Sequence, residues 1–211
     1  SPYPLSELKG NSVSADRIRK MLNERGIEAR GSHGCDGDPA DILISLHAVK
    51  GAPAIFEFKK KQPKGKVIIL MTGTDIYQAL PEGSQIGEDA LEEADRIVVP
   101  QEAAILKLPE EVRGKTVVIH SSLDSIAIKA SPSRSPFVIS VVGHLRPVKR
   151  SFLTIETLAK RPEWSDIEVW QIGQALDEEM RKKAEIWAKD YERYRWFGGL
   201  PRRESLALCA K

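Results

Sequence analysis

The sequence predicts an α/β protein made of two doubly wound, parallel-sheet domains in series, and three observations carry that expectation. Short apolar runs alternate with helical patterns along the whole chain. Most of these runs are β-branched and unpatterned, the composition of strands covered on both faces. A Pro/Ser-rich break, Ala130-Ser131-Pro132-Ser133-Arg134-Ser135-Pro136, divides the alternation in two. Residues 1–130 are therefore expected to form one domain and 131–136 a linker. Residues 137–211 are expected to begin a second domain, incomplete within this chain.

Composition narrows the function. Thirty-two Lys and Arg against 30 Asp and Glu leave a net charge of +2. With no long basic block and no aromatic–basic interleaving, the chain carries no nucleic-acid footprint. No apolar run approaches the ~18 residues that a membrane span needs. Ser1-Pro2-Tyr3-Pro4 lacks the apolar core of a signal peptide. Cys35 and Cys209 are far apart and have no metal-ligand spacing, so they read as reduced thiols of a cytoplasmic protein. Nothing in the chain specifies an oligomeric state.

In the first domain a helix is expected from about Ser14 to Arg25. Ile18, Met21 and Leu22 share one face, and Gly26 stops it. Ahead of it, Lys9-Gly10-Asn11-Ser12 is a Gly turn at a helix N-terminus, either a phosphate or sugar contact or simply a cap. No strand precedes it, so the first strand of the domain is expected to be missing or supplied differently. Ile27–Arg30 reads as a short strand, and 31–39 as a polar loop. Ala40–Leu46 is a strand ending in His47. A helix or loop follows through Ile55, Phe56 and Phe58 to Lys59-Lys60-Lys61, where cations suit the dipole. Lys66–Met71 is the clearest strand of this half and ends in Thr72-Gly73-Thr74-Asp75. A helix over Glu88–Glu93, a strand at Asp95–Pro100, a short helix over Ala103–Leu108 and a strand at Thr116–Ile119 complete it.

The second domain opens on Phe137–Val142, a strand with the composition of one buried on both faces. It stops at Gly143, and His144, Arg146 and Lys149 crowd the turn before a helix over Ser151–Lys160. A strand, a Gly turn with cations and a helix make an anion site at the strand's carboxyl end. The competing reading takes Arg146 and Lys149 as solvated loop charges. A strand over Ile167–Ile172 ending at Gly173, a helix over Asp177–Asp190, a short strand over Tyr194–Phe197 and a helix from Pro201 follow.

Doubly wound sheets bind ligands at the carboxyl ends of their strands. Those ends carry His47, Thr72 to Asp75, His120 to Ser122, Gly143 to Lys149, and Gly173. His47 is a candidate general base or donor to a developing charge, against a histidine merely packed at a strand end. Asp75 is a candidate to bind substrate hydroxyls or act as a base, and equally to cap a helix starting near Ile76. His120 and His144 read as structural, and Tyr191, Tyr194, Trp196 and Phe197 as packing rather than a wall against a planar base. There is no Gly-x-Gly-x-x-Gly after a strand and no P-loop, which argues against a dinucleotide dehydrogenase and a P-loop ATPase. No nucleophile elbow and no metal-ligand spacing occur either.

Val141-Val142-Gly143-His144-Leu145-Arg146-Pro147-Val148-Lys149, heading a second α/β domain, resembles a feature of the GT-B glycosyltransferases of the glycogen-synthase-like (group 1) type. Those enzymes have two Rossmann-like domains, the second beginning with a strand and Gly-Arg-Leu-x-x-x-Lys, whose Arg and Lys hold the donor diphosphate. Gly143, Leu145 and Lys149 fit that pattern, and His144 stands at the Arg position. The resemblance implies that Arg146 takes over the charge. Lys9-Gly10-Asn11 resembles the Gly-rich loop of the first domain that approaches the diphosphate. His47 falls where the group carries a histidine near the transferred sugar. Gln171-Ile172-Gly173 and Trp196-Phe197-Gly198 resemble strand ends flanking the nucleotide, and the group's donor-binding Glu-x7-Glu region would lie beyond Lys211.

Ser45-Leu46-His47-Ala48, Met71 to Tyr77, Gly143 to Lys149 and Arg193-Tyr194-Arg195-Trp196 resemble, more narrowly, the selenosugar synthase subgroup of selenoneine biosynthesis. That likeness implies transfer of a sugar from UDP-N-acetylglucosamine to selenophosphate, without metal or other cofactor. It implies catalytic roles for His47, Arg146 and Lys149. Substrate contacts would come from Lys9, Gly10, Asn11, Thr72, Gly73, Thr74 and Asp75 in the first domain. Gly143, His144, Gly173 and Trp196 would supply them in the second. Selenophosphate is already anionic and needs positioning more than deprotonation, so His47 is expected to orient the sugar. Domain closure about Ala130–Pro136 is expected to exclude water. The competing readings are a GT-B enzyme with an ordinary hydroxyl acceptor, a nucleotide-sugar epimerase on the same scaffold, and a non-catalytic nucleotide-sugar-binding protein.

Overall fold

Fully buried Val67, Ile69, Ile97 and Val99, at alternate positions of two neighbouring strands, seed the larger of two cores. The computed structural model describes residues 1–7, 9–122 and 135–210, so most of the expected linker, 131–134, lies outside the described residues. The chain divides into two compact units, Ser1–Leu123 and Asp124–Lys211.

The first unit begins with α1 (Gly10–Asn23), followed by β1 (Ile42–Leu46), α2 (Ala48–Lys61), β2 (Lys66–Leu70), α3 (Gln85–Glu93) and β3 (Arg96–Val99). Two short helices, α4 (Glu102–Ile105) and α5 (Glu110–Arg113), lead to β4 (Thr116–Val118). The four strands pair in chain order and all in parallel. Ala52, Ile55 and Phe58 of α2 and Ala90 and Leu91 of α3 close over the buried strand positions. The alternate residues Ile44, Ile68 and Val98 are only half-buried.

Two segments of this unit depart from the sequence reading. Ile27–Arg30 is not a strand, because the Asn23 side chain takes its hydrogen bonds. Asn23 Oδ1 accepts the Ala29 N–H at 3.0 Å and Nδ2 donates to the Ala29 carbonyl at 2.9 Å. The Lys9–Ser12 turn is itself the start of α1, since Val13 N–H already donates to the Lys9 carbonyl at 3.0 Å. After β2 the chain forms one π-helical turn, Asp75–Ala79, closed by Leu80 N–H on the Asp75 carbonyl at 3.0 Å.

The second unit contains β5 (Phe137–Val142), α6 (Leu153–Leu158), β6 (Ile167–Ile172), α7 (Glu178–Asp190), β7 (Tyr194–Trp196) and α8 (Arg202–Cys209). Its strands are parallel in the order β5-β6-β7. Leu145, Phe152, Ile155, Val169, Met180 and Tyr194 form its core. β5 is not buried on both faces as its composition suggests. None of its six residues is buried, because among the described strands it pairs only with β6. α6 is shorter than Ser151–Lys160 because residues 147–149 first make a 3-10 turn and Arg150 turns left-handed at φ +48°. Among the described residues, no helix is long and apolar enough to cross a membrane.

Candidate functional site

In the first unit, pairing of β1 and β2 brings their carboxyl ends out together. Leu46 lies opposite Leu70, and His47 N–H extends the ladder to the Leu70 carbonyl at 2.9 Å. His47 then turns to φ +78°, an uncommon conformation for a residue with a Cβ, held by the bonds around it. Its side chain is buried, and Nδ1 accepts the Lys50 N–H at 3.2 Å. In the neutral ring the proton therefore sits on Nε2, which donates to Thr74 Oγ1 at 3.0 Å. Burial pushes the imidazole below its usual range; the Asp75 carboxylate opposes that shift and the Lys50 ammonium adds to it.

Asp75 is fully buried, and both its oxygens are occupied. Oδ2 accepts Ala48 N–H at 2.9 Å, while Oδ1 accepts Thr72 N–H at 2.7 Å, Thr72 Oγ1–H at 3.0 Å and Ile76 N–H at 3.2 Å. It lies behind the strand ends as a brace, and Thr72, Gly73 and Thr74 form the surface above it. Of these, Gly73 and Thr74 are exposed.

The beginning of α1 meets the beginning of α2 through Tyr3. Lys9 Nζ lies 4.0 Å from the centre of the Tyr3 ring, and Lys50 Nζ donates to the Tyr3 hydroxyl at 2.7 Å. Lys9 also pairs with Glu7 at 2.7 Å, which holds its ammonium above the usual range. Gly10 is exposed, and a Cβ there would meet nothing within 4 Å. Among the described residues no side chain caps α1 and no acidic residue occupies its first turn, so Gly10 and Asn11 present that end of the helix.

In the second unit the strand ends are laced together. Gly143 N–H donates to the Ile172 carbonyl at 2.8 Å, Gly173 N–H to the Gly198 carbonyl at 2.7 Å, and Leu145 N–H to the Gln174 carbonyl at 2.9 Å. The Trp196 indole N–H donates to the Gly173 carbonyl at 2.9 Å, so Trp196 braces this crossing. Gly173, at φ +154°, is obligatory: a Cβ would sit 1.9 Å from the Gly143 carbonyl oxygen. Gly143, at φ +149°, has the Lys149 ammonium over its open face, 3.2 Å from where a Cβ would be.

Ser151 sets the loop between them. Its hydroxyl accepts Arg146 N–H at 3.0 Å and donates to the Arg146 carbonyl at 3.2 Å. His144, Arg146, Lys149 and Arg150 are all exposed. Among the described residues none of the three cations has a carboxylate partner, a suitable arrangement for an anionic ligand.

Sequence reasoning passed over Tyr3, Lys50, Arg150 and Ser151. Lys50 was detectable as a cation one helical turn beyond His47; the other three carry no motif. His120, exposed, bonds the Pro100 carbonyl and approaches Glu102. Tyr194 is buried in the core, where burial pushes its phenol upward. A cavity of about 580 Å³ lined by Asp41, Gln62, Lys64 and Lys66 lies at the amino ends of β1 and β2 and contains none of the site residues. Among the described residues no three His, Cys, Asp or Glu side chains are grouped to hold a metal ion.

No family model matches the chain, and no curated protein matches it in sequence. It is similar in structure to Alr3699/HepE of Anabaena in complex with UDP-glucose, with 16% identity and a TM-score of 0.56 over 90% of this chain and 60% of that one. Against HepE in complex with UDP the values are 17%, 0.57, 91% and 53%. The lipopolysaccharide outer core galactosyltransferase WaaB matches at 15% identity and a TM-score of 0.49, over 93% of this chain and 50% of that one. The chain thus spans about 60% of the length of HepE in its UDP-glucose complex. At these identities the likeness is one of fold: an α/β protein with parallel sheets, of the GT-B class.

Proposed function

We propose that this chain is part of a cytoplasmic glycosyltransferase that moves a sugar from a UDP-sugar, UDP-N-acetylglucosamine, to selenophosphate. The observation that carries the reading is the Gly143–Lys149 loop. A glycine-lined strand end has one ammonium folded over it, and Arg146 and Arg150 are exposed in the turn that follows, all three without carboxylate partners among the described residues. This is the electrostatic arrangement that a departing diphosphate needs. Lys149 and Arg146 offset the charge that grows on the UDP leaving group, so the protein's own cations do this work without a metal. HepE, of the same fold, is known in complex with UDP-glucose and with UDP.

The selenium of selenophosphate attacks the anomeric carbon, the C–Se bond forms, and the C–O bond to UDP breaks with its electron pair leaving on the diphosphate. The nucleophile carries its own negative charge, so no side chain has to remove a proton. The first unit fits this requirement, since its histidine is a donor at Nε2 rather than a free base. The choice of selenophosphate rests on the resemblance of the Thr72–Asp75 and Gly143–Lys149 segments.

Calorimetric titration with UDP and UDP-N-acetylglucosamine tests the donor half. Lys149→Ala should weaken both at least tenfold, and unchanged binding would remove Lys149 from the site. Product mass after incubation with selenophosphate, thiophosphate, phosphate and simple sugars tests the acceptor half. Turnover with sugars alone would replace the acceptor by a hydroxyl compound.

A further inference from the structure

We propose that the Thr74 hydroxyl, and not His47, touches the ligand at the carboxyl ends of β1 and β2, that His47 is a positioning residue behind it, and that the ligand group is a phosphate-type oxyanion. The imidazole is 2% exposed, and both its nitrogens are used inside the protein. A hydroxyl has one proton and two acceptor positions. Nε2–H fills one acceptor position of Thr74 Oγ1, so the hydroxyl proton points away from the ring. No acceptor for that proton occurs among the described residues, and Thr74 is exposed.

Asp75, the adjacent carboxylate, does not compete for the Thr74 proton. It is fully buried and already accepts four hydrogen bonds. The result is a hydroxyl donor oriented by a buried ring, at an exposed strand end.

The charge of the ligand follows from Lys50. Its backbone N–H fixes the ring from the side opposite Thr74, and its exposed ammonium, held at 2.7 Å by the Tyr3 hydroxyl, has no carboxylate partner among the described residues. A donor hydroxyl bonded to the ring, and an uncompensated ammonium on the residue whose backbone N–H fixes that ring, suit an anionic ligand. A neutral sugar hydroxyl could use the remaining acceptor position of Thr74 Oγ1, so it is the Lys50 ammonium that favours an anion. The inference rests on the transferase reading only for which molecule brings the oxyanion, the phosphate-like acceptor or the donor diphosphate.

The test has a ligand-free arm and a binding arm. Long-range proton–nitrogen spectra of 15N-labelled protein should show His47 as the Nε2–H tautomer, with the Nε2 resonance shifted in Thr74→Val. An Nδ1–H tautomer overturns the positioning role. Calorimetry then uses two probes, thiophosphate and UDP, on wild type and variants of unchanged melting temperature. Thr74→Val should weaken one probe at least tenfold, and Thr74→Ser should stay within twofold of wild type. His47→Asn keeps an acceptor for Lys50 N–H and tolerates positive φ, but is too short to reach Thr74. It should match Thr74→Val, and the double variant should be no worse.

Loss confined to thiophosphate assigns the oxyanion to the acceptor, and loss confined to UDP assigns it to the donor. UDP binding that depends on Lys149 but is indifferent, with thiophosphate, to Thr74→Val overturns this inference and leaves the transferase reading standing. A wild type that binds neither probe overturns that reading and the oxyanion with it, while the spectra still decide the tautomer.

Discussion

Asp75 Oδ2 accepts the Ala48 N–H at 2.9 Å, tying the start of α2 to the end of β2 through a fully buried carboxylate. The other oxygen holds the Thr72–Ile76 turn. Asp75→Ala would leave several buried N–H groups without an acceptor, at about 3 kcal/mol of lost stability. Urea unfolding should show a lower midpoint with an unchanged slope. A loss below about 0.5 kcal/mol would mean that water or the backbone replaces the brace.

His47 gives the stability of the first unit a defined pH dependence. Burial holds its folded-state value below the usual 6.5, so between the folded value and 6.5 the unfolded chain binds more protons. Stability therefore rises with pH across that window; it is fully present above 6.5 and lost as pH falls through the folded value. Melting temperatures at pH 7.5, 6.5 and 5.5 should fall more steeply for wild type than for His47→Asn. Parallel curves would show that the ring protonates without cost.

Much of this was legible in the sequence. β5 and β6 have the bounds that their apolar runs predict, and His47 and Thr72–Asp75 were both expected at strand carboxyl ends, which the parallel register of β1 and β2 brings together. What a residue does at such an end was not legible. Asp75 is a buried brace on which four donors converge: three come from Thr72 and Ile76 beside it in sequence, but Ala48 N–H, 27 residues away, meets it only in the fold. Ile27–Arg30 had the composition of a strand but lost its hydrogen bonds to Asn23. Tyr3 and Lys50 are 47 residues apart and meet only in the fold.

Gly10 and Gly173 should respond oppositely to the same change. Gly173→Ala drives a Cβ to 1.9 Å from the Gly143 carbonyl and should cost about 3 kcal/mol or prevent folding of the second unit. Gly10→Ala meets nothing within 4 Å and should leave stability the same or raise it by up to about 1 kcal/mol. Under the proposed function its methyl group would occupy space that a ligand uses, so UDP-N-acetylglucosamine binding should weaken at least tenfold. Stable Gly10→Ala protein with wild-type affinity would place the ligand elsewhere.

His144 is exposed at the turn where the resembling enzymes carry an arginine, between Gly143 and the buried anchor Leu145. Arg146, Lys149 and Arg150 already give this loop three cations without carboxylate partners among the described residues. Under the proposed function, a fourth charge facing the UDP diphosphate should add about 1 kcal/mol at low salt, because an exposed ion pair gains little more. His144→Arg is therefore expected to tighten UDP binding three- to tenfold at 50 mM salt. The gain should shrink at 300 mM, since screening acts on exposed charges first. Calorimetry at both concentrations checks it. A tighter complex with no salt dependence would point to a contact other than charge, and no change at 50 mM would mean that position 144 faces away from the diphosphate.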